Sequence, residues 1–219
     1  MLSKNDMEKI QTQLLSYDKA RERLQVLARN AIRLCGWAIV QIHRGNLTQA
    51  GKTLSEAKQA LDEIEKLLAA HELPQFGQVL VAFQEYAEGK LLLQMKKNAK
   101  LASLHEIGTS STAYLLGMLD FIGEMRRMIL DCLRNGKTDE AQQLLSKMEK
   151  VYEDLFSLDR TSILPNFRRK LDATRRILET TRGDVASDMR RVSLEKAVRS
   201  LERRLGSTPS RKKRGQLAN

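Results

Sequence analysis

Hydrophobic residues recur at three- and four-residue intervals along most of the chain, which is the spacing of one face of an α-helix. In the first 40 residues this pattern runs from Leu24 through Ala31 to Ile39 without a break. It predicts one long helix that stops near Gly45. The three prolines of the chain fall between periodic segments, and proline is disfavoured in helix interiors. The pattern therefore favours an all-α fold.

The same periodicity divides the remaining chain into six further helices, separated by turns that contain glycine, proline or serine. The longest gap, about residues 101–112, is expected to be a loop ending in a helix cap, and another break is expected at Gly183. The predicted helices cover about residues 48–71, 75–97, 112–134, 138–158, 164–182 and 184–205. The prediction is a seven-helix bundle with a long first helix, forming one domain over residues 1–205.

The charge of the chain is concentrated at its end. The net charge is +11, and residues 189–219 hold ten Lys or Arg against two Glu, a net +8. Such a segment attracts phosphate without reading sequence. Residues 206–219 are expected to be a basic flexible tail, although a tail that only aids solubility explains residues 211–214 equally well.

Other bulk features exclude several classes of protein. No stretch approaches the ~18 apolar residues of a membrane span, and no signal peptide is present, so we expect a cytoplasmic protein without membrane contact. Cys35 and Cys132 have no Cys or His at metal spacing, which predicts buried, reduced thiols. Trp37 lies in an apolar segment and is expected in the core.

Two pairs of acids at helical spacing are the main candidate chemistry. Glu85 and Glu88 are three residues apart on the third predicted helix, and Asp120 and Glu124 are four apart on the fourth. Between residues 114 and 125 the second pair supplies the only charges, and a lone buried carboxylate is costly. Two such helices packed side by side would bring four carboxylates together, where Mg²⁺ or Mn²⁺ could bind.

The alternative is that these acids form ordinary salt bridges. The first pair could face Lys90, Lys96 or a neighbouring subunit, and the second pair could face Arg126 or Arg127. Spacing alone leaves both explanations open. The sequence contains no Glu-x-x-His motif and no phosphate-binding glycine loop, so a di-iron bundle and a nucleotide-binding loop are not indicated.

The segments QEYAE at 84–88 and YLLGMLDFIGEMRRM at 114–128 resemble the acid-bearing motifs of the translin family. Within that family they are most similar to the branch of translin-associated factor X, or Trax. Weaker similarity in DKARERL at 18–24 and in the order of helices extends the likeness over about residues 8–185. The chain looks like an archaeal or prokaryotic type of member, one that would assemble without a separate translin partner.

The resemblance implies a metal-dependent endoribonuclease that hydrolyses single-stranded RNA and leaves 3′-hydroxyl and 5′-phosphate ends. By motif, the catalytic acids are Glu85, Glu88 and Asp120, and these three with Glu124 would bind Mg²⁺ or Mn²⁺. Translin subunits, which bind nucleic acid without cleaving it, lack an equivalent of Asp120. That residue therefore distinguishes the two branches.

The resemblance also implies self-association into a closed homo-oligomer, an octamer, with single-stranded RNA or DNA as ligand. Arg127, together with Arg29 and Arg33 on the first helix, is expected to guide the RNA backbone. Two alternatives remain. One is an oligomer that binds nucleic acid without turnover, as translin does, and the other is a helical scaffold whose acids are structural.

Overall fold

The computed structural model describes residues 3–158, 164 and 166–206, and every regular element among them is a helix. The predicted all-α class, the count of seven helices and the long first helix are confirmed. In chain order the helices are α1 (Lys4–His43), α2 (Leu47–Ala70), α3 (Gly77–Lys96), α4 (Leu104–Ile107), α5 (Ser111–Arg134), α6 (Thr138–Phe156) and α7 (Phe167–Gly206).

Several helix boundaries are set by single side chains. The hydroxyl of Ser110 accepts a hydrogen bond from the backbone N–H of Ala113 and so caps the start of α5. Gly45 and Gly136 follow α1 and α5 with φ of +82° and +70°, a left-handed conformation that glycine adopts without strain. The one-turn helix α4 lies inside the predicted loop and is held by a capping box around Ser103.

The break predicted at Gly183 is wrong, because α7 continues through it. Glycine costs only about 1 kcal/mol in a helix interior, and packing on both sides of this position offsets that cost. The side chain of Thr181 accepts a hydrogen bond from Arg126 of α5, and Asp184 forms an ion pair with the same arginine at 2.9 Å. The two predicted C-terminal helices are therefore one helix.

Helices α3 and α5 form the centre of the bundle and pack directly against each other. Helices α1 and α2 cover α3 on one side, while α6 and α7 cover α5 on the other. Residues such as Phe83 of α3 and Phe121 of α5 are fully buried between these layers. The two acid-bearing helices are therefore neighbours in the core of the molecule.

Three further expectations can be compared with the structure. Cys35 is buried and Cys132 is partly buried, and both are free thiols. Trp37 is 53% exposed, so its predicted place in the core is wrong. It lies on a face of α1 that the other helices leave uncovered, although its neighbours in sequence are apolar. No helix in the described part of the chain is both long and apolar enough to cross a membrane.

The predicted tail falls outside the described residues except for Gly206. The assignment of residues 1–205 to one domain stays a prediction.

Candidate active site

The four predicted acids line one cleft of about 530 Å³ between α1, α3, α5 and α7. Glu85 and Glu88 enter it from α3, and Asp120 and Glu124 enter it from α5. Lys170 of α7 is the only positively charged side chain among the described residues that line it. The structure therefore brings together the acids that the two sequence motifs supplied separately.

The close approach of α3 and α5 depends on Gly117. A methyl group at this position would lie 2.7 Å from the carbonyl oxygen of Gln84 and 2.9 Å from the Cβ of Ala87. These distances are too short for any larger residue without movement of the α3 backbone. Because Asp120 follows Gly117 by one turn, the missing side chain places that carboxylate beside α3.

Asp120 is held by two hydrogen-bond donors. The Nζ of Lys170 donates to both carboxylate oxygens at 2.6 Å, and the amide of Gln84 donates to Oδ2. Both Asp120 and Lys170 are 28% exposed at the side chain, while Gln84 is buried. The predicted pairing of Asp120 with a cation is therefore found, but the cation comes from α7 and not from Arg126 or Arg127.

Glu124 is compensated differently. The Nε2 of His43, at the end of α1, donates a hydrogen bond to Oε2 of Glu124, and the guanidinium of Arg127 lies 3.8 Å from the same oxygen. The His43 side chain is 6% exposed, and its Nδ1 is buried without a partner among the described residues. His43 thus fixes the orientation of Glu124 from behind the residues that line the cleft.

Glu85 and Glu88 have no hydrogen-bond or salt-bridge partner among the described residues. Burial raises the pKa of Glu88 to about 9, and the nearby carboxylates of Glu85, Asp120 and Glu124 add to this. Burial and Asp120 also raise the pKa of Glu85, against the opposing charge of Lys170. The cleft therefore holds more carboxyl groups than its own cations can pair, and Glu88 keeps its proton at neutral pH.

The acids of the cleft also affect a cysteine on the neighbouring helix α1. Burial, followed by the charges of Glu85 and Glu88, raises the pKa of the Cys35 thiol. This thiol lies on α1 beside the acids and stays protonated at neutral pH. The prediction of a reduced, structural cysteine is consistent with that environment.

The donor chemistry of the cleft fits a divalent cation. Four carboxylates share it, and two of them are uncompensated, which is the condition under which oxygen ligands attract Mg²⁺ or Mn²⁺. Their oxygens do not meet at one point: no three His, Cys, Asp or Glu side chains in the described ranges lie close enough together to hold a metal ion. Two of the acids are turned toward Lys170 and His43 instead.

The arginines predicted to guide RNA lie outside the cleft wall. Arg127 is half exposed one turn after Glu124. Arg29 and Arg33 are exposed on α1, and Arg33 lines a different groove, between α1 and α2, where it donates to Asn30. Their role in RNA binding stays a prediction.

Sequence reasoning missed Lys170, His43 and Gln84. Lys170 lies 50 residues from Asp120 in the chain, and His43 lies 81 residues from Glu124, so no local spacing connects either pair. Gln84 stands next to Glu85 within the quoted motif, and a side-chain amide needs a hydrogen-bond partner once it is buried, but its partner Asp120 lies 36 residues away in the chain.

Comparison with known proteins gives a consistent result. Residues 18–180 match the sequence model of the translin family. An uncharacterised protein of Methanocaldococcus jannaschii is 30% identical over 191 residues, which cover 86% of this chain and 85% of that protein.

Solved structures share the fold. The crystal structure of AfC3PO has a TM-score of 0.75 and 26% identity, and the match covers 84% of this chain and 97% of that one. A structure described as a complex of AfC3PO with duplex RNA gives the same TM-score and identity, and covers 84% and 96% of the two chains. The structure of apo-NeC3PO, with a TM-score of 0.72 and 24% identity, covers 86% and 98% and supports the fold alone.

Proposed function

Because the chain belongs to the translin family, we propose that the acid cleft is the active site of a metal-dependent endoribonuclease. The substrate we propose is single-stranded RNA, and the enzyme works within a closed homo-oligomer, an octamer. Within the family we assign the chain to the Trax type, of the archaeal or prokaryotic kind, on the presence of Asp120. The proposed cofactor is Mg²⁺ or Mn²⁺.

The observation that carries this proposal is that Glu85 and Glu88 share one cleft with two other carboxyl groups and have no cation of their own among the described residues. A carboxyl group whose pKa is raised to about 9 by burial and like charges is an unfavourable choice for a purely structural core position. Added positive charge beside it would reverse the shift, and proton release accompanies cation binding at such a group. A structural role for all four acids offers no reason to leave the buried Glu88 and the partly buried Glu85 without partners.

The residues have separate roles in the proposed reaction. Glu85, Glu88 and Asp120 would hold the cation, with Glu124 beside them, oriented by His43. When bound, such a cation activates water and stabilises negative charge on the leaving oxygen. One carboxylate would accept the proton of the attacking water as the water oxygen bonds to phosphorus and the bond from phosphorus to the 3′-oxygen breaks, and the leaving 3′-oxygen would take up a proton from solvent. The products have 3′-hydroxyl and 5′-phosphate ends.

The structural relatives support RNA as the ligand, since AfC3PO has been solved with duplex RNA at 26% identity to this chain. Positive charge on α7 and at Arg127 beside the cleft is compatible with a phosphate backbone. Because that relative holds a duplex, the assay must compare single-stranded with duplex RNA. Preferential cleavage of the single strand is expected.

The test incubates labelled RNA with the wild-type protein and with Asp120→Asn, each in Mg²⁺ and in chelator. We expect cleavage by the wild type in Mg²⁺ only. The Asp120→Asn variant should lose at least the 10- to 100-fold in rate that removal of an outer-shell partner typically costs. Cleavage that persists in chelator or in the variant would contradict the proposal.

The second candidate is an oligomer that binds nucleic acid without cleaving it. One observation favours it: both oxygens of Asp120 are occupied by Lys170. This candidate predicts that RNA is bound with an affinity that falls with salt, and that it stays intact in Mg²⁺. The same incubation, followed by a binding measurement, separates the two.

A further inference from the structure

We infer that Lys170 is a catalytic residue of this cleft, with two positions for its ammonium group. In the cation-free cleft it neutralises Asp120, and when Asp120 serves as a metal ligand it contacts a non-bridging oxygen of the scissile phosphate. The inference rests on the proposed function and deepens it. It adds a helix, α7, that neither sequence motif includes.

The geometry of the ion pair is the first support. The Nζ of Lys170 lies 2.6 Å from Oδ1 and 2.6 Å from Oδ2 of Asp120, so one ammonium group bridges the two oxygens at the position that a cation held by both would take. A carboxylate needs a free oxygen lone pair to bind a metal ion. The lysine and a divalent cation therefore compete for the same atoms.

The competition accounts for the arrangement of the other acids. Glu85 and Glu88 line the same cleft but are not drawn toward any cation, and no three acids in the described residues converge. The ammonium group of Lys170, the one positive charge among the described residues that line the cleft, is bonded to Asp120. Release of Lys170 would free Oδ1 of Asp120, while Gln84 still donates to Oδ2, and would leave the ammonium inside a cleft that then contains the substrate.

The chemistry of lysine suits the second position. Its ammonium is a compact point charge with three donors on a flexible four-carbon stem, so it can move several ångströms without backbone motion. In phosphodiester hydrolysis, negative charge spreads over the non-bridging oxygens as water adds and the 3′-oxygen leaves. Lys170 would donate a hydrogen bond to one of these oxygens. It would transfer no proton and form no covalent bond, so the reactants and products of the hydrolysis stay the same.

A purely structural role for Lys170 makes different predictions. As a tie between α7 and α5, the pair would contribute stability, and its loss would leave the affinity for a divalent cation unchanged. If Lys170 instead competes with the metal ion for Asp120, its loss should raise the affinity of the cleft for a divalent cation. The measurement of cation binding without RNA therefore separates the two roles.

The experiment measures Mn²⁺ binding by the electron paramagnetic resonance signal of the free ion, and RNA cleavage in parallel. The variants are Lys170→Met and Lys170→Gln, two neutral side chains of similar length. We expect both to bind Mn²⁺ about fivefold more tightly than the wild type, the size expected when a partly exposed ion pair no longer competes. We also expect both to cleave RNA about 100-fold more slowly.

Arg169→Met is the matched control, because Arg169 is exposed on the same turn of α7, carries the same charge and does not line the cleft. This control should leave the Mn²⁺ midpoint, the Mn²⁺ concentration at which half of the sites are filled, as it is in the wild type. Two neutral variants keep the test valid if one fails to fold. Lys170→Arg, which retains the charge, should keep the wild-type Mn²⁺ midpoint and recover part of the cleavage rate.

Failure of the inference and failure of the proposed function look different. A wild-type protein that neither binds Mn²⁺ nor cleaves RNA would overturn the proposed function. A wild type that does both, with neutral variants that keep its Mn²⁺ midpoint or its cleavage rate, would overturn the role of Lys170 alone.

Discussion

The four acids of the cleft divide into a compensated pair and an uncompensated pair. Asp120 and Glu124, which stand out in an apolar segment of the sequence, are the ones with partners, Lys170 and His43. Glu85 and Glu88 have unremarkable spacing and yet lack partners among the described residues. Binding of an added cation in the cleft is therefore expected to depend most on Glu85 and Glu88 of α3.

Glu88 predicts a measurable effect of pH on stability in the metal-free protein. Its pKa in the folded state, about 9, lies above the 4.5 of an ordinary glutamate. The folded state thus holds a proton that the unfolded state releases, so this contribution is fully present below pH 4.5 and is lost as pH rises toward 9. The slope approaches about 1.4 kcal/mol per pH unit for one proton.

Urea unfolding in chelator at pH 6, 7 and 8 tests this expectation. The wild type should lose stability over that range, and Glu88→Gln, which cannot ionise, should lose much less. An exposed acid of α7, Glu179, replaced by Gln, is the control and should keep the wild-type slope. Equal slopes in the wild type and Glu88→Gln would show that Glu88 is ionised in the folded protein.

The sequence predicted the acids but not their partners. Spacing of three or four residues identifies side chains on one helix face, so each acid pair was visible. Partners such as Lys170 come from helices that fold back over long distances, and the order of lysines and arginines along α7 does not say which one points inward. Only the packing of α7 on α5 selects Lys170 from a segment that also contains Arg168 and Arg169.

At the level of helices, the cleft exists because α3 and α5 pack with their backbones close together. Gly117 makes this possible, since the nearest atoms of α3 leave no room for a methyl group. Gly117, which has no side chain, therefore determines how close Asp120 lies to the acids of α3.

Gly117→Ala should separate the two helices. We expect a loss of about 1–3 kcal/mol in the free energy of unfolding, the usual cost of overpacking, and a lower cleavage rate because Asp120 moves away from α3. Urea unfolding and the RNA assay measure the two effects. An alanine tolerated at 117 without change in either would mean that the helices are not in backbone contact.

Gly183→Ala is the matched comparison. Its new methyl group would meet nothing within 4 Å, and Gly183 lies within the continuous helix α7. We expect it to raise the free energy of unfolding by about 0.5–1 kcal/mol, because alanine restricts the unfolded chain and favours helix. Destabilisation at this position would indicate a break in α7.

The fold class followed from periodicity, whereas two details did not. The break expected at Gly183 relied on local propensity, which the contacts of Thr181 and Asp184 with Arg126 override. Trp37 was expected in the core because its neighbours are apolar, but α1 is apolar on more than one face and only one of them is covered. Hydrophobic spacing shows that a face is apolar, not what covers it.

On the scale of the whole molecule, both long terminal helices project beyond the bundle with apolar side chains exposed. In α1 these include Met7, Ile10 and Leu14, and in α7 they include Leu194, Val198, Leu201 and Leu205. The α7 residues are spaced four, three and four apart, as in one seam of a coiled coil. Such a seam is stable when another helix covers it, which is consistent with the proposed self-association.

Replacement of Leu194 and Leu201 by glutamine should therefore lower the assembled mass. Polar residues in a coiled-coil seam weaken helix pairing, while the described core of the bundle does not include these positions. Light scattering after size exclusion measures the mass, and circular dichroism checks that the helices remain. Arg199→Gln, which lies off the seam in the same segment, is the control and should leave the assembled mass unchanged. If the double variant also keeps the wild-type mass, this seam is not an assembly contact.

The unbroken helix α7 has a mechanical consequence. From Lys170 to Leu205 it spans roughly 50 Å, at about 1.5 Å per residue. Its first half is clamped on α5 and α6, and its second half projects from the bundle. The contacts of Thr181 and Asp184 with Arg126 lie between the projecting end and Lys170, so a load on that end meets the clamped turns before it reaches the lysine. The angle at which that lysine enters the cleft is therefore independent of how the far end is held.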